Sequence, residues 1–235
     1  MDRIDKILVA QNFGSRKEVH KLIKSKAVTV DGECVTKVDM KVDPDVNVIT
    51  VAGQVVEFKE HLYIMMNKPQ GYVCATEDKV SKTVLELLPP NLQRKGLFPA
   101  GRLDKDTEGL LIITDDGDFA HRMLAPKKHV SKRYYVETDK EITEDTVNAF
   151  EKGIIFRDGT KCLPAKLEIL ENNRGIVEIC EGKFHQIKKM FNVCRLNVTF
   201  LKRISIGNLN LDSNLTIGQC RELTKIEKNA IFLVK

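Results

Sequence analysis

Tryptophan is absent from the chain, and only 6% of its 235 residues are aromatic. Any stacking on a flat ligand must therefore depend on a few Tyr, Phe or Arg side chains. The six cysteines form no C-x-x-C pair, which argues against a zinc site or a dithiol redox site. Their scatter through apolar segments is typical of free thiols in a reducing compartment, so we expect a cytoplasmic protein.

Long apolar runs are also missing. No stretch approaches the roughly 18 residues that a membrane span needs, and the N-terminal stretch MDRIDKILVAQNF lacks the apolar core of a signal peptide. We therefore expect no membrane association. The residues that are present, 42% hydrophobic and 30% charged, are typical of a globular chain long enough for one small and one medium domain.

The net charge of +5 is unevenly distributed. Residues 1–30 hold seven Lys or Arg against three acids, residues 121–133 hold five with no acid, and residues 182–211 hold six with no acid. A single basic run is explained equally well by chance clustering on a solvated protein surface. Three together favour a face that binds a polyanion such as nucleic acid.

Pattern and turn signals divide the chain near residues 59–61. Residues 1–58 predict two short helices, the second capped by Ser15 and Glu18, followed by strands at 28–30, 33–36, 46–51 and 55–58. Residues 62–235 alternate strands and helices, which predicts an α+β domain with a mixed, largely antiparallel sheet and flanking helices. Its expected elements include strands at 63–66, 110–114, 132–138 and 198–206 and helices at 83–88, 184–194 and 224–232.

Basic side chains crowd the two N-terminal helices. Lys17, Lys21 and Lys24 share one helix face, where like charges repel unless an anion neutralises them. The stretch RIDKILVAQNFGSRKEVHKLIKSKAVTVDG resembles the S4 RNA-binding domain over residues 1–58. The resemblance implies contacts to the phosphates of structured RNA, made by Arg3, Lys6, Arg16, Lys17, Lys21 and Lys24. A solvated helix surface is the alternative reading.

The segment GRLDKDTEGLL at residues 101–111 is a glycine-bounded loop that runs into an apolar strand. Asp104 lies near the start of that strand, and by itself it would be interpreted as a turn or capping residue. The string G-R-L-D-x-x-T-x-G-L-L resembles the signature of the RsuA/RluA superfamily of pseudouridine synthases. Asp106 and Glu108 fall on variable positions of the string and are interpreted as solvated loop charges.

Further segments resemble motifs of the same family, in the family's order: NKPQG at 67–71, KRYYV at 132–136, GKFHQIKKMF at 182–191 and the tail around Leu201, Arg203 and Gly207. The last two resemble the RsuA/RluB branch, so the resemblance covers essentially the whole chain. It implies isomerisation of uridine in RNA, in which uracil leaves C1′ through N1 and rejoins through C5 with no cofactor and no metal. NKPQG is expected to support the catalytic loop.

The resemblance also implies roles for individual residues. Asp104 is the catalytic carboxylate, acting by attack on C1′ or by elimination to a glycal. Arg102 fills the space left by the flipped base, and Lys188 is the cation that keeps Asp104 ionised, with Lys183 and Lys189 as alternatives. Tyr134 holds the uracil, with Tyr135 as the alternative. Neighbouring residues of a strand point to opposite faces of the sheet, so only one of the two tyrosines can enter the pocket. Lys183, His185 and Gln186 are expected to contact RNA, and Leu201 walls the pocket or belongs to the core.

Several functional alternatives stay open. NKPQGYVC and the short C-terminal tail resemble the members that modify small-subunit (16S) rRNA, with large-subunit (23S) rRNA as the alternative. A non-catalytic rRNA-binding or ribosome-assembly protein would use the same basic surfaces. A sugar-cleaving hydrolase would pair Asp104 with Glu108. We expect a monomer whose partner is ribosomal RNA or its assembly intermediate.

Overall fold

The computed structural model describes residues 1–125 and 129–233. The chain forms two compact units, of which the first contains Met1–Leu62 and Pro89–Gly96 and the second contains the remainder. Pro89–Gly96, which the sequence places in the second domain, groups with the first unit, where Arg94 donates to the carbonyl oxygens of Lys59 and Glu60 at 2.9 and 2.7 Å. The predicted domain boundary at residues 59–61 stays a prediction.

The first unit pairs two helices, α1 (Ile4–Ala10) and α2 (Arg16–Lys24), with short strands. The predicted capping box is confirmed, because the Ser15 hydroxyl accepts from Glu18 N and the Glu18 carboxylate accepts from Ser15 N. Apolar side chains at helical spacing, such as Ile4, Leu8 and Val19, are buried in a shared core.

The strands of the first unit form two antiparallel sheets. The larger has the order β3-β2-β5-β6, and the smaller pairs β1 with β4. Strand β5 begins three residues later than predicted, because the amides of Val46 and Asn47 close a turn on the Asp43 carbonyl. The strands are β1 (Asp2–Arg3), β2 (Val28–Val30), β3 (Glu33–Cys34), β4 (Lys41–Val42), β5 (Ile49–Val51) and β6 (Gln54–Val55).

The second unit is built on one nine-stranded sheet. Its strands are β7 (Tyr63–Lys68), β8 (Phe98–Ala100), β9 (Glu108–Thr114), β10 (Lys132–Thr138), β11 (Lys166–Glu171), β12 (Arg174–Ile179), β13 (Val198–Ile206), β14 (Leu209–Asn210) and β15 (Cys220–Glu222). The order is β11-β12-β10-β13-β9-β7-β15, with β8 paired to β9 and β14 to β13. Among the described strands of this sheet only β9 and β13 pair in parallel, so the predicted α+β class with a mixed, largely antiparallel sheet is confirmed.

In residues 62–125 and 129–233, four helices flank this sheet: α3 (Gly117–Leu124), α4 (Glu144–Lys152), α5 (Gln186–Val193) and α6 (Lys225–Ala230). The helix predicted at 83–88 is a single 3₁₀ turn, Val84–Leu87. The helix predicted at 184–194 begins two residues later, because His185 has a left-handed backbone with φ of +52° and cannot continue a helix. No helix within the described ranges is long and apolar enough to cross a membrane.

Candidate active site

A pocket of about 340 Å³ lies against the face of the sheet where β10 and β13 run side by side. Alternate residues of a strand share one face, so Lys132 and Tyr134 from β10 point to the same side as Leu201 and Arg203 from β13. All four line the pocket. The loop before β9 and the residues that lead into α5 complete its walls, contributing Arg102, Asp104, Lys183, His185, Gln186 and Lys188. Tertiary structure therefore brings together the candidate residues of three separated motifs.

The side chain of Lys68 fixes the loop that carries Asp104 by hydrogen bonds to its backbone. This lysine is fully buried, and its ammonium donates to the carbonyl oxygens of Pro69, Asp104 and Thr107 at 2.9, 3.1 and 2.9 Å. Burial lowers the pKa of Lys68 below its ordinary value. The predicted supporting role of the NKPQG segment thus has a specific physical basis, a cation enclosed by backbone carbonyls.

A glycine sets the distance between this loop and β13. Gly109 has φ of +101°, and a Cβ added there would lie 2.2 Å from the carbonyl oxygen of Arg203. No side chain fits, so the loop motif requires glycine at the point where β9 meets β13 in parallel. This close approach places Asp104 and Arg203 in one pocket.

Two basic groups face the Asp104 carboxylate. Lys188 Nζ lies 3.2 Å from Oδ2, and His185 Nε2 lies 3.5 Å from Oδ1. Lys188 also contacts Asp106, whose pKa burial would raise but which the Lys188 hydrogen bond holds below its ordinary value. Lys189, one of the alternatives for the cation, instead lies over the rings of Phe156 and Phe184.

Strand geometry separates the two candidate tyrosines. Tyr134 is buried and lines the pocket. Tyr135 lies on the opposite side of β10, where its hydroxyl donates to Glu137 at 2.6 Å and its ring meets Phe200 edge-on. The motif spacing that favours Tyr134 agrees with this placement.

The remaining expected RNA contacts of this unit differ in their surroundings. Arg102 is exposed at the pocket wall. Gln186 is buried, accepts from Lys183 N at 2.9 Å and donates to Glu181 at 2.8 Å, and the Lys183 ammonium pairs with the same Glu181. Gln186 and Glu181 therefore shape the segment that leads into α5.

Two residues in the pocket were quoted in the sequence motifs without a role. Lys132 is the first residue of KRYYV, and its spacing of two from Tyr134 was the signal that could have placed it in the pocket. Arg203 lies two residues after Leu201 in the tail motif, and this spacing of two along a strand could likewise have placed it in the pocket. Glu108, the partner that a hydrolase would need, begins β9 and is not among the residues that line the pocket.

In the first unit, the predicted RNA contacts divide into two sets. Arg3 and Arg16 lie 3.0 and 3.4 Å from the fully buried carboxylate of Asp5, a residue that the sequence analysis did not single out. The other four basic residues, Lys6, Lys17, Lys21 and Lys24, are exposed. Lys127 and Lys128 of the second basic run lie outside the described residues.

Comparison with known proteins agrees with this geometry. Residues 62–193 match the family described as RNA pseudouridylate synthase, and residues 2–48 match the S4 domain. Ribosomal small subunit pseudouridine synthase A of Escherichia coli (strain K12) is 39% identical over 228 residues, which cover 96% of this chain and 97% of that protein. The uncharacterized RNA pseudouridine synthase YtzG of Bacillus subtilis (strain 168) is 46% identical over 229 residues, 96% of each protein.

A solved structure described as a pseudouridylate synthase has a TM-score of 0.68 and 34% identity, and the alignment covers 98% of this chain and 100% of that one. The match therefore includes the pocket and both units. The chain belongs to the RNA pseudouridylate synthase family and is a pseudouridine synthase that acts on RNA, with an S4 domain at its N-terminus.

Proposed function

We propose that this enzyme converts one uridine of small-subunit (16S) rRNA to pseudouridine, with Asp104 as its catalytic carboxylate. The observation that carries the assignment is the ion pair of Asp104 with Lys188, 3.2 Å long, inside a pocket in which Asp104 is the only acidic residue among the described lining residues. A carboxylate paired with a neighbouring ammonium inside a pocket is suited to act as a nucleophile or a base.

The choice of small-subunit rRNA rests on relatives. Several proteins that are 38 or 39% identical over 96% of this chain carry the name ribosomal small subunit pseudouridine synthase A. The 46% identical relative is named only as an RNA pseudouridine synthase. Large-subunit (23S) rRNA is therefore the second candidate substrate.

The geometry supports the following course. The target nucleotide leaves its stack, which costs a few kcal/mol, and the exposed guanidinium of Arg102 takes its place. The ribose then meets Asp104 at the mouth of the pocket, and the base lies deeper, against Tyr134. Both the attack on C1′ and the elimination to a glycal begin with Asp104 as the anion that Lys188 stabilises.

Tyr134 has two tasks in this course. Its buried ring offers a face on which the uracil stacks, and its hydroxyl assists removal of the proton from C5 after the base has turned and rejoined C1′. The proton that C5 carried leaves for solvent through the mouth of the pocket, and N1, which no longer bonds to C1′, takes up one proton in exchange. Since all these groups come from one chain, we take the monomer as the acting unit.

The S4 unit would hold the same RNA through phosphate contacts. Lys17, Lys21 and Lys24 are exposed along one face of α2, where they can track an RNA backbone. Arg3 and Arg16 keep part of their surface exposed while they pair with Asp5. They can contribute to the same face.

The decisive experiment is pseudouridine mapping of rRNA from cells that lack the protein, complemented with the wild type or with Asp104→Asn. We expect one site in 16S rRNA to be lost, to return with the wild type and to stay absent with the variant. A lost site in 23S rRNA would replace the proposed substrate. Loss of no site would favour a non-catalytic rRNA-binding or ribosome-assembly protein, and rescue by Asp104→Asn would remove Asp104 from the mechanism.

A further inference from the structure

Two buried cations, Lys132 and Arg203, line the inner wall of the pocket. The exposed fraction is 6% for Lys132 and 3% for Arg203. Lys132 Nζ donates to the carbonyl oxygen of Val130 at 2.9 Å, and Arg203 Nε donates to that of Leu110 at 2.7 Å. Within the described residues, no Asp or Glu oxygen lies within 4 Å of the Lys132 ammonium or the Arg203 guanidinium.

The arginine also has an unused donor. Arg203 Nη1 lies 3.4 Å from the hydroxyl of Tyr134, but the buried Nη2 has no hydrogen-bond partner among the described residues. A buried donor without an acceptor is costly, and a buried charge without a counter-ion is more so. Burial, with the Arg203 charge as the second cause, lowers the pKa of Lys132 to about 8.

The carboxylate of the pocket does not neutralise these two groups. Asp104 is already paired with Lys188 at 3.2 Å, and its side chain is 24% exposed, at the mouth rather than the floor. The floor therefore holds an uncompensated positive charge next to the ring of Tyr134, whose centroid lies 6.0 Å from the Arg203 guanidinium carbon.

We propose that Lys132 and Arg203 stabilise the negative charge that forms on uracil when its bond to C1′ breaks, and are catalytic residues of the reaction. This rests on the proposed function, because it takes the uridine base to lie beyond Asp104, against Tyr134. Two preorganised donors aimed at a developing oxyanion stabilise a transition state more than the ground state.

The charge balance of the step requires such a group. When the bond between C1′ and N1 breaks, its electron pair stays on the uracil, whose negative charge spreads over N1 and the carbonyl oxygens O2 and O4. Donors to these oxygens hold the detached base as an anion. Meanwhile C1′ is either bonded to the Asp104 carboxylate or part of a glycal whose C2′ proton Asp104 has taken. The anion then attacks C1′ through C5, and Asp104 either leaves C1′ as a carboxylate or returns the proton to C2′. The electron pair thus returns to the sugar in the new bond, and no oxidant or reductant is needed.

A backbone phosphate is the other anion that the reaction brings to the pocket, but burial disfavours it as the occupant. Phosphates are linked to the rest of the RNA chain and stay near the surface. The buried floor suits a flat, detached base instead.

The test compares Arg203→Gln and Lys132→Met with Lys202→Gln and Arg133→Gln. Each control removes a neighbouring positive charge on the opposite face of the same strand. The first readout is kcat and KM for pseudouridine formation in an RNA substrate. The second is inhibition by 5-nitrouracil, which its nitro group makes anionic near neutral pH, compared with inhibition by the neutral bases uracil and thymine.

We expect Arg203→Gln and Lys132→Met each to lower kcat about 100-fold with little change in KM. The wild type and both controls should bind 5-nitrouracil about tenfold more tightly than the neutral bases, and the two floor variants should lose that preference. If Arg203→Gln does not fold, the proposal is tested by the kcat of Lys132→Met and by the preference of the wild type for 5-nitrouracil over the neutral bases.

Equal inhibition of the wild type by anionic and neutral bases would overturn the proposal, as would floor variants with wild-type kcat. If instead inorganic phosphate inhibits the wild type but not the floor variants, and the preference for 5-nitrouracil is unchanged in them, the floor binds phosphate and the proposal is wrong. A wild-type protein that forms no pseudouridine in any rRNA would refute the proposed function itself, which is a separate outcome.

Discussion

One ammonium, that of Lys188 on α5, joins two carboxylates of the same loop: it lies 3.2 Å from Asp104 Oδ2 and is hydrogen-bonded to Asp106. The two acids are unequal, because the side chain of Asp104 is 24% exposed and that of Asp106 is 69% exposed. An ion pair screened by water contributes little, and a partly buried one contributes more. The pairing with Asp104 is therefore the one on which activity should depend.

Replacement of Lys188 by Met should lower kcat at least about 100-fold, since Asp104 would lose its strongest cationic neighbour. Lys188→Arg should restore part of the activity. Single-turnover assays with excess enzyme separate this effect from RNA binding. Lys189→Met is the matched control, since Lys189 lies next in sequence and its ammonium lies over the rings of Phe156 and Phe184 instead of facing Asp104. Equal effects of the two variants would contradict the assignment.

Asp106→Asn should keep activity within a few-fold of the wild type. Its carboxylate is exposed and shares Lys188 without lining the floor of the pocket. A large loss of kcat in this variant would show that the lysine acts through Asp106 and not Asp104. The same single-turnover assay decides between the two.

Lys68→Met should destabilise the second unit by about 3 kcal/mol, because it leaves buried carbonyl oxygens without their donor. Urea unfolding followed by a probe of that unit measures the change. Lys105→Met is the control, since Lys105 is exposed and donates to Ser81 Oγ, and we expect less than about 0.5 kcal/mol there. Wild-type stability of Lys68→Met would mean that the carbonyls find other donors.

Replacement of Lys17, Lys21 and Lys24 by Gln should weaken RNA binding and reduce the slope of log K against log salt by about 2, since each phosphate contact contributes about 0.7 to 0.9. Lys152, Lys161 and Lys166, exposed in the second unit, give a control triple variant of equal net charge. If both triple variants lose the same slope, the effect is one of net charge alone and α2 has no specific role.

The pKa of about 8 for Lys132 predicts opposite effects of pH on activity and stability. Above pH 8 the folded chain loses a proton that the unfolded chain keeps up to its ordinary 10.5, so the unfolded state binds more protons and stability rises with pH. Activity should fall over the same range, since the proposed role needs the ammonium.

Pseudouridine formation measured from pH 7 to 10 should show this alkaline decline in the wild type. Lys132→Met should form pseudouridine more slowly, at a rate that does not decline between pH 7 and 10. Cys180, which also faces Lys132 and whose pKa burial raises, is the other group that titrates nearby. Cys180→Ser should therefore retain the decline, and its disappearance there would assign the titration to the thiol.

Local signals predicted much of the fold. The strands 132–138 and 198–206 were predicted at the bounds that the structure has, because both segments are rich in the β-branched and aromatic residues that favour strands. The short strands β14 and β15 were not predicted, since two or three residues are too few to show a period. The left-handed His185 was also missed, because its conformation depends on packing with Phe184 and on its neighbours at the pocket.

The sequence by itself determined the family, the α+β class and the capping of α2, because these depend on motifs and on contacts close in the chain. It also identified Asp104, Tyr134 and Lys188 as candidates. Only the tertiary structure brought Lys132 and Arg203 together on the pocket floor, with no carboxylate partner in the part of the chain that the structure describes, and enclosed Lys68 in backbone carbonyls. These relations join strands and loops far apart in sequence, and burial, which sets the cost of each charge, exists only once the chain has folded.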